Sequence, residues 1–199
     1  MKRFLVLAGI LGMLLLAGGA VADTTAAYAT RISALIEPAK LATLGKRGAN
    51  PRVQKYVAQL ADARLAGVNV TNVANEALAK AGMKGDAAKL TSEAMLRNLA
   101  IADRLGCLDD KGLGEMRRGK APTVKRGPYA GDQLSVDHII PRAVVPELDN
   151  VIANLELMPL RMNESKNDKI GARQMALGKE LRAAGLLSEA GFKQLQSVP

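Results

Sequence analysis

One histidine, one cysteine and no tryptophan stand among the 199 residues, and aromatic residues make up only 3% of the chain. Each scarcity removes a class of chemistry. Cys107 alone cannot close an internal disulfide, and it cannot build the paired-cysteine sites that hold structural zinc. His138 alone excludes a two-histidine metal centre within one chain, and any serine-protease-like triad would have to use that same ring. A metal would therefore rest mainly on oxygen ligands or on the single imidazole. Fixed-period repeats and low-complexity tracts are also missing. What is present is a 48% apolar content, enough for a packed core in one ordinary domain or two small ones. The 28 Lys and Arg against 19 Asp and Glu give a formal charge of +9. That surplus points toward polyanions or anionic lipid, although charge says nothing about fold.

Residues 1–22 have the pattern of a secretory signal peptide. Lys2 and Arg3 precede the apolar stretch from Phe4 to Ala17, and Ala20-Val21-Ala22 forms an A-x-A cleavage site before Asp23. The apolar stretch is shorter than the roughly 20 residues of a transmembrane span. Cleavage is favoured over retention as an N-terminal anchor, and no cysteine at the cleavage point offers a lipid attachment site. The mature chain is then expected in the periplasm or the medium, without a membrane anchor and still basic. Without paired cysteines it must be stabilised there by its core and any bound ion.

Residues 23–110 read as a helical region. Asn50 and Pro51 suit a helix start, Val53, Val57, Leu60 and Ala61 share one face, and Gly67 suits the stop. A second helix is expected after Asn69 or Thr71, with Val73, Ala77 and Leu78 on its apolar stripe and Gly82 at its end. A third is expected from about Asp86, with that carboxylate as capping acceptor, through Leu90, Leu96 and Leu99 to Gly106. These stripes read as core, and no catalytic grouping is visible among them.

From Lys111 to Ala130 glycine and proline are frequent, and the segment reads as a loop. It carries Lys111, Arg117, Arg118, Lys120, Lys125 and Arg126 against the single anion Glu115. Such a loop either tracks a phosphate backbone, with salt-sensitive affinity, or is a solvated linker. Its place just before the next segment favours the first reading.

That next segment is Leu134-Ser135-Val136-Asp137-His138-Ile139-Ile140-Pro141, followed by Asn154-Leu155-Glu156-Leu157 and then by Asn163 and Lys166. Leu134 and Val136 alternate with polar neighbours, as in a short strand delivering Asp137 and His138 to its end. A loop with Pro141 and Pro146 leads to a second short strand around Asn154 to Met158. From Arg161 or Met162 to Leu177 the residues predict one helix, with Asn163 and Lys166 a turn apart on the same face. The order is strand, loop, strand, helix.

These residues resemble the HNH endonucleases, whose ββα-metal motif has a metal-binding Asp beside a general-base His on the first strand. The resemblance covers about Leu134 to Ile170 and implies metal ligation by Asp137 and Asn163, the base role for His138 and loop fixation by Asn154. It is the variant with Asn at the last position, and it lacks the zinc-binding cysteine pairs that many members carry. The implied cofactor is one hard divalent ion, Mg²⁺ or Mn²⁺, with no structural zinc, and the implied partner is DNA or RNA. An imidazole with an ordinary pKa of about 6.5 is largely neutral near pH 7 and suits a base. The ion would act as Lewis acid toward the phosphate. Arg117, Arg118, Lys120, Lys125 and Arg126 are candidate nucleic-acid contacts. Arg161 and Lys166 either add charge at the scissile phosphate or stand as solvated helix residues.

The tail from Gly171 reads as helical packing behind this site, with Gly185 as a stop and Ser188 as a cap. The expected fold class is α+β, mostly helical, with a C-terminal ββα-metal motif in residues 111–199 packed against flanking helices. The expected function is an exported nuclease with little sequence specificity, since no recognition-helix or zinc-finger pattern appears. The competing readings are a noncatalytic basic nucleic-acid-binding protein and an envelope interaction protein.

Overall fold

The computed structural model describes residues 15–36, 51–166 and 169–198. The described helices are α1 (Leu15–Ile36), α2 (Pro51–Leu65), α3 (Val70–Lys80), α4 (Gly85–Arg104), α5 (Asp110–Arg117), α6 (Leu160–Ser165), α7 (Ala172–Ala183) and α8 (Glu189–Gln196). Strands β1 (Leu134–His138) and β2 (Leu155–Pro159) pair antiparallel, with Asp137 opposite Glu156 and His138 opposite Leu155. The protein is therefore α+β and mostly helical, with a small two-stranded sheet. Of the segment read as an export signal, residues 1–14 lie outside the described residues, and Leu15 to Ala22 begin α1. Among the described residues no helix is long and apolar enough to cross a membrane.

Helix boundaries follow local chemistry. The Asn69 side chain accepts the Asn72 N–H at 3.1 Å and starts α3. Gly67 and Gly82 close α2 and α3 in the left-handed region, with φ of 75° and 81°. The proposed start at Asn50 lies outside the described residues, while Pro51 is the first residue of α2.

Three expectations are corrected. Asp86 does not cap α4: the cap position is Lys84, without a side-chain bond, and Asp86 lies in the first turn, where its charge suits the helix dipole. Residues 111–130 are not all loop, because α5 carries Lys111 and Arg117. Asp109 accepts the Gly112 N–H at 3.0 Å to cap that helix, and Leu113 and Met116, three residues apart, bury one face. The stretch from Arg161 to Leu177 is not one helix. At Lys166 the backbone turns extended, with φ −75° and ψ 137°, and helix resumes only at Ala172. The Lys166 side chain folds back onto β1, and Gln174 reaches back to the Gly171 N–H at 3.1 Å to open α7. Asn163 and Lys166 thus share no helical face.

The larger core joins α1 to α5 with the sheet, through Ile32, Tyr56, Leu60, Leu78, Met95, Met116, Leu134 and Leu157. A smaller cluster sits under the loop between the strands, where Ile140, Val145 and Leu148 meet Leu181, Phe192 and Leu195 of α7 and α8. Glu147 fastens that loop by accepting the Ser188 N–H at 2.7 Å and the Ser188 hydroxyl at 2.9 Å.

A two-stranded sheet leaves each strand one unpaired edge, and buried unpaired peptide groups are costly. On β2 a helix side chain fills this role. Buried Asn98 of α4 accepts the Leu157 N–H at 2.8 Å and donates to the Leu155 carbonyl at 3.0 Å and to the Tyr56 hydroxyl at 2.8 Å. Its amide substitutes for a third strand.

Candidate active site

β1 and β2 point opposite residues to the same face, so Asp137 and Glu156 lie side by side on the face that α6 covers. Each carboxylate has its own cation. Glu156 accepts two hydrogen bonds from Arg173, at 2.6 and 3.1 Å, and faces Arg97 at 3.4 Å. That fork raises the Arg173 pKa, chiefly through Glu156 and further through the charge of Asp137. Asp137 accepts from the Lys166 ammonium, which also donates to the His138 carbonyl at 2.8 Å.

Asp137, His138, Asn163 and Lys166 line one open cleft of about 190 Å³, together with Pro141, Arg142 and Ala143. The strand delivers the first two, and α6 delivers Asn163. Asn163 donates through Nδ2 to the Ser135 hydroxyl at 3.2 Å, which in turn donates to the Met158 carbonyl at 3.0 Å. This arrangement leaves the amide oxygen as the atom Asn163 can offer a cation.

Asn154 stands apart from the cleft lining. It ends a 3-10 turn (Ile152–Asn154) directly before β2, one residue ahead of the strand the sequence suggested for it. Fully buried, its Oδ1 accepts the Ile140 N–H at 2.8 Å and its Nδ2 donates to the Ile140 carbonyl at 3.0 Å. Its own carbonyl accepts the Ile139 N–H at 2.8 Å. The start of the loop that follows His138 is therefore locked to the entry of β2.

The imidazole is aimed by a residue that sequence reasoning passed over. His138 Nε2 lies 2.9 Å from the Asp149 carbonyl oxygen and 3.1 Å from its carboxylate Oδ1. Both partners can only accept, so Nε2 carries the proton and Nδ1 is the ring nitrogen left to take one. Arg142 Nη1, on the solvent side of Asp149, is 3.9 Å from the same Oδ1. Arg142 follows the Asp-His-Ile-Ile-Pro run directly and could have been found by that adjacency; nothing in the sequence singled out Asp149.

None of Arg117, Arg118, Lys120, Lys125, Arg126 and Arg161 lines the cleft. Arg117 is paired with Asp62 at 2.6 Å, and Lys125 is paired with Asp109. The backbone N–H of Arg161 donates to Asp132 at 2.8 Å, an interaction that lowers the Asp132 pKa, and its guanidinium faces the same carboxylate. Arg118, Lys120 and Arg126 are exposed.

Among the described residues no group of three or more His, Cys, Asp or Glu side chains could hold a metal ion. The cleft offers one carboxylate, one amide oxygen and the Nδ1 of His138. The two oxygens fit a hard, mostly hydrated ion such as Mg²⁺, which takes one or two carboxylates and completes its shell with water and phosphate. Compared with known proteins, the chain matches no family model, no curated protein and no solved structure.

Proposed function

We propose that the protein is a metal-dependent endonuclease of the HNH type that hydrolyses phosphodiester bonds in DNA or RNA with little sequence specificity. One observation carries this reading: Asp137 and His138 of β1, Asn163 of α6 and Lys166 just past the end of α6 line a single cleft. His138 acts as general base, accepting a proton from water at Nδ1 while Asp149 holds Nε2–H. Asp137 and Asn163 would hold Mg²⁺ or Mn²⁺ through their side-chain oxygens. When bound, such an ion supplies Lewis-acid polarisation of the phosphate. Lys166 and Arg142 add positive charge along the cleft wall, where anionic substrate enters. Asn154 keeps the loop, and hence the ring, in place without touching substrate. The leader pattern of residues 1–22 supports action outside the cytoplasm.

The test is plasmid nicking by the purified chain with Mg²⁺, Mn²⁺ or chelator. Cutting is expected with metal and not with chelator, and His138→Ala is expected to lose about 10²- to 10⁴-fold, the usual contribution of a general base. One observation favours the alternative of a noncatalytic basic nucleic-acid-binding protein. The Asp137 carboxylate already has an internal cation in Lys166. Binding without metal-dependent nicking under all these conditions would decide for that alternative.

A further inference from the structure

A second cleft opens on the other flank of α6. It has a volume of about 300 Å³ and lies between α4, the segment before β1, β2 and α6. Ile101 and Arg104 of α4, Tyr129, Met158 of β2 and Met162 of α6 line it. Its lining is mainly apolar, in a chain with three tyrosines in all, and Met162 is one of two large hydrophobic side chains exposed among the described residues, at 45%. Tyr129 is fixed in place. The Arg161 guanidinium lies 5.8 Å from its ring centroid and is itself anchored on Asp132 at 3.4 Å.

Met162 and Asn163 are neighbours in sequence, so one helix presents the apolar cleft on one side and the Asp137 cleft on the other. An apolar slot with an aromatic wall, with the exposed Arg104 in its lining and the Glu156 carboxylate there already paired with Arg97 and Arg173, complements a flat π-system carried on an anionic backbone. We propose that this cleft is a nucleobase subsite, which takes an unpaired base of a single-stranded nucleic acid whose phosphodiester lies against the neighbouring cleft. This inference rests on the nuclease reading for its choice of ligand. A base docked here must leave its pairing partner, so the site favours single strands or flared ends over intact duplex.

The test uses the full chain carrying His138→Ala, without divalent ions. Fluorescence anisotropy follows binding of one labelled oligonucleotide, single-stranded or annealed to its complement. Tyr129→Ala and Met162→Ala are each expected to weaken single-strand binding about tenfold, as loss of a base-stacking contact does, with duplex binding little changed. Tyr129→Phe should restore single-strand affinity. Met162 is exposed, so its variant keeps the test valid if Tyr129→Ala unfolds. Unchanged single-strand affinity in folded variants, equal losses for both nucleic-acid forms, or no single-strand binding by the parent would each overturn the subsite. A selective single-strand loss without any metal-dependent nicking would instead sink the nuclease reading and leave the subsite standing. Nicking that persists beside indifference to Tyr129 and Met162 would sink the subsite alone.

Discussion

Asn154 shows how much one buried amide can decide. It satisfies both the N–H and the carbonyl of Ile140, groups buried with it and out of reach of water. Asn154→Ala leaves both unpaired and is expected to destabilise the fold by about 2–5 kcal/mol, readable as a lower urea midpoint. Asn154→Asp keeps an acceptor for the Ile140 N–H but sets a carboxylate against the Ile140 carbonyl, so it should recover little of that loss. The resemblance implied a loop-fixing role for Asn154, while the residue by itself read equally as a turn cap. Its partner was not legible, since nothing in a sequence says which peptide group a side chain will meet.

Cys107 is one residue through which pH enters stability. Burial first, and the Asp109 charge second, push its thiol from 9.0 up to about 12. The folded state therefore holds that proton more tightly than the unfolded chain does. The resulting stabilisation is fully present below about pH 9 and is lost as pH rises toward 12. Arg52 acts with opposite sign at the upper end. Burial lowers its pKa from 12.5 to about 10, so folding sheds a proton there and stability recovers as pH rises through that interval. Chemical unfolding in steps above pH 9 should show a fall in stability that is shallower in Cys107→Ala. An identical slope in both proteins would contradict the assignment. The native thiol should also resist alkylation near pH 8, since the thiolate is the reactive form.

At the scale of elements, α5 offers an internally controlled pair of glycines. A Cβ on Gly112 would lie 2.1 Å from the Cys107 carbonyl oxygen, a backbone atom that cannot step aside, whereas one on Gly114 would meet only the end of Arg118 at 3.7 Å. Gly112→Ala is expected to cost about 1–3 kcal/mol or more through overpacking. Gly114→Ala should instead stabilise by about 0.5–1 kcal/mol, because alanine loses less backbone entropy in a helix. Thermal melts of the two variants should shift in opposite directions. This helix was missed in the sequence because glycine and cationic residues mask its short apolar stripe of Leu113 and Met116. The break after α6 was missed for another reason. Residues 161–177 contain good helix formers and no proline, and it is the return of Lys166 to Asp137 and the His138 carbonyl that competes with helix continuation there.

At the scale of the molecule, the helical first half is part of the candidate site's support. Asn98 of α4 closes the open edge of β2, and Arg52 of α2 reaches the Asn150 amide oxygen at 3.3 Å, beside the Asp149 that holds His138. Asn98→Leu strips partners from the Tyr56 hydroxyl, the Leu155 carbonyl and the Leu157 N–H together. A loss of about 3 kcal/mol or more in urea unfolding is expected, with nicking by the surviving folded fraction reduced if the sheet edge shifts. A neutral outcome for stability would mean that β2 does not depend on α4.

A resemblance to the ββα-metal motif proposed Asp137, His138, Asn154 and Asn163 as candidates, while the sequence by itself determined the α+β class and the strand, loop, strand and helix order from Leu134 to Asn163. Periodicity, capping and spacing are local properties of the chain, and they carry that much. Only the tertiary structure decided that Asp149 aims the ring, that Arg142 rather than the basic stretch before β1 lines the cleft, and that Asn98 and Arg52 reach the motif from residues far upstream. Those contacts join residues from 11 positions apart, as for His138 and Asp149, to 98 apart, as for Arg52 and Asn150. Their partners are chosen by how the core packs, which no local pattern specifies.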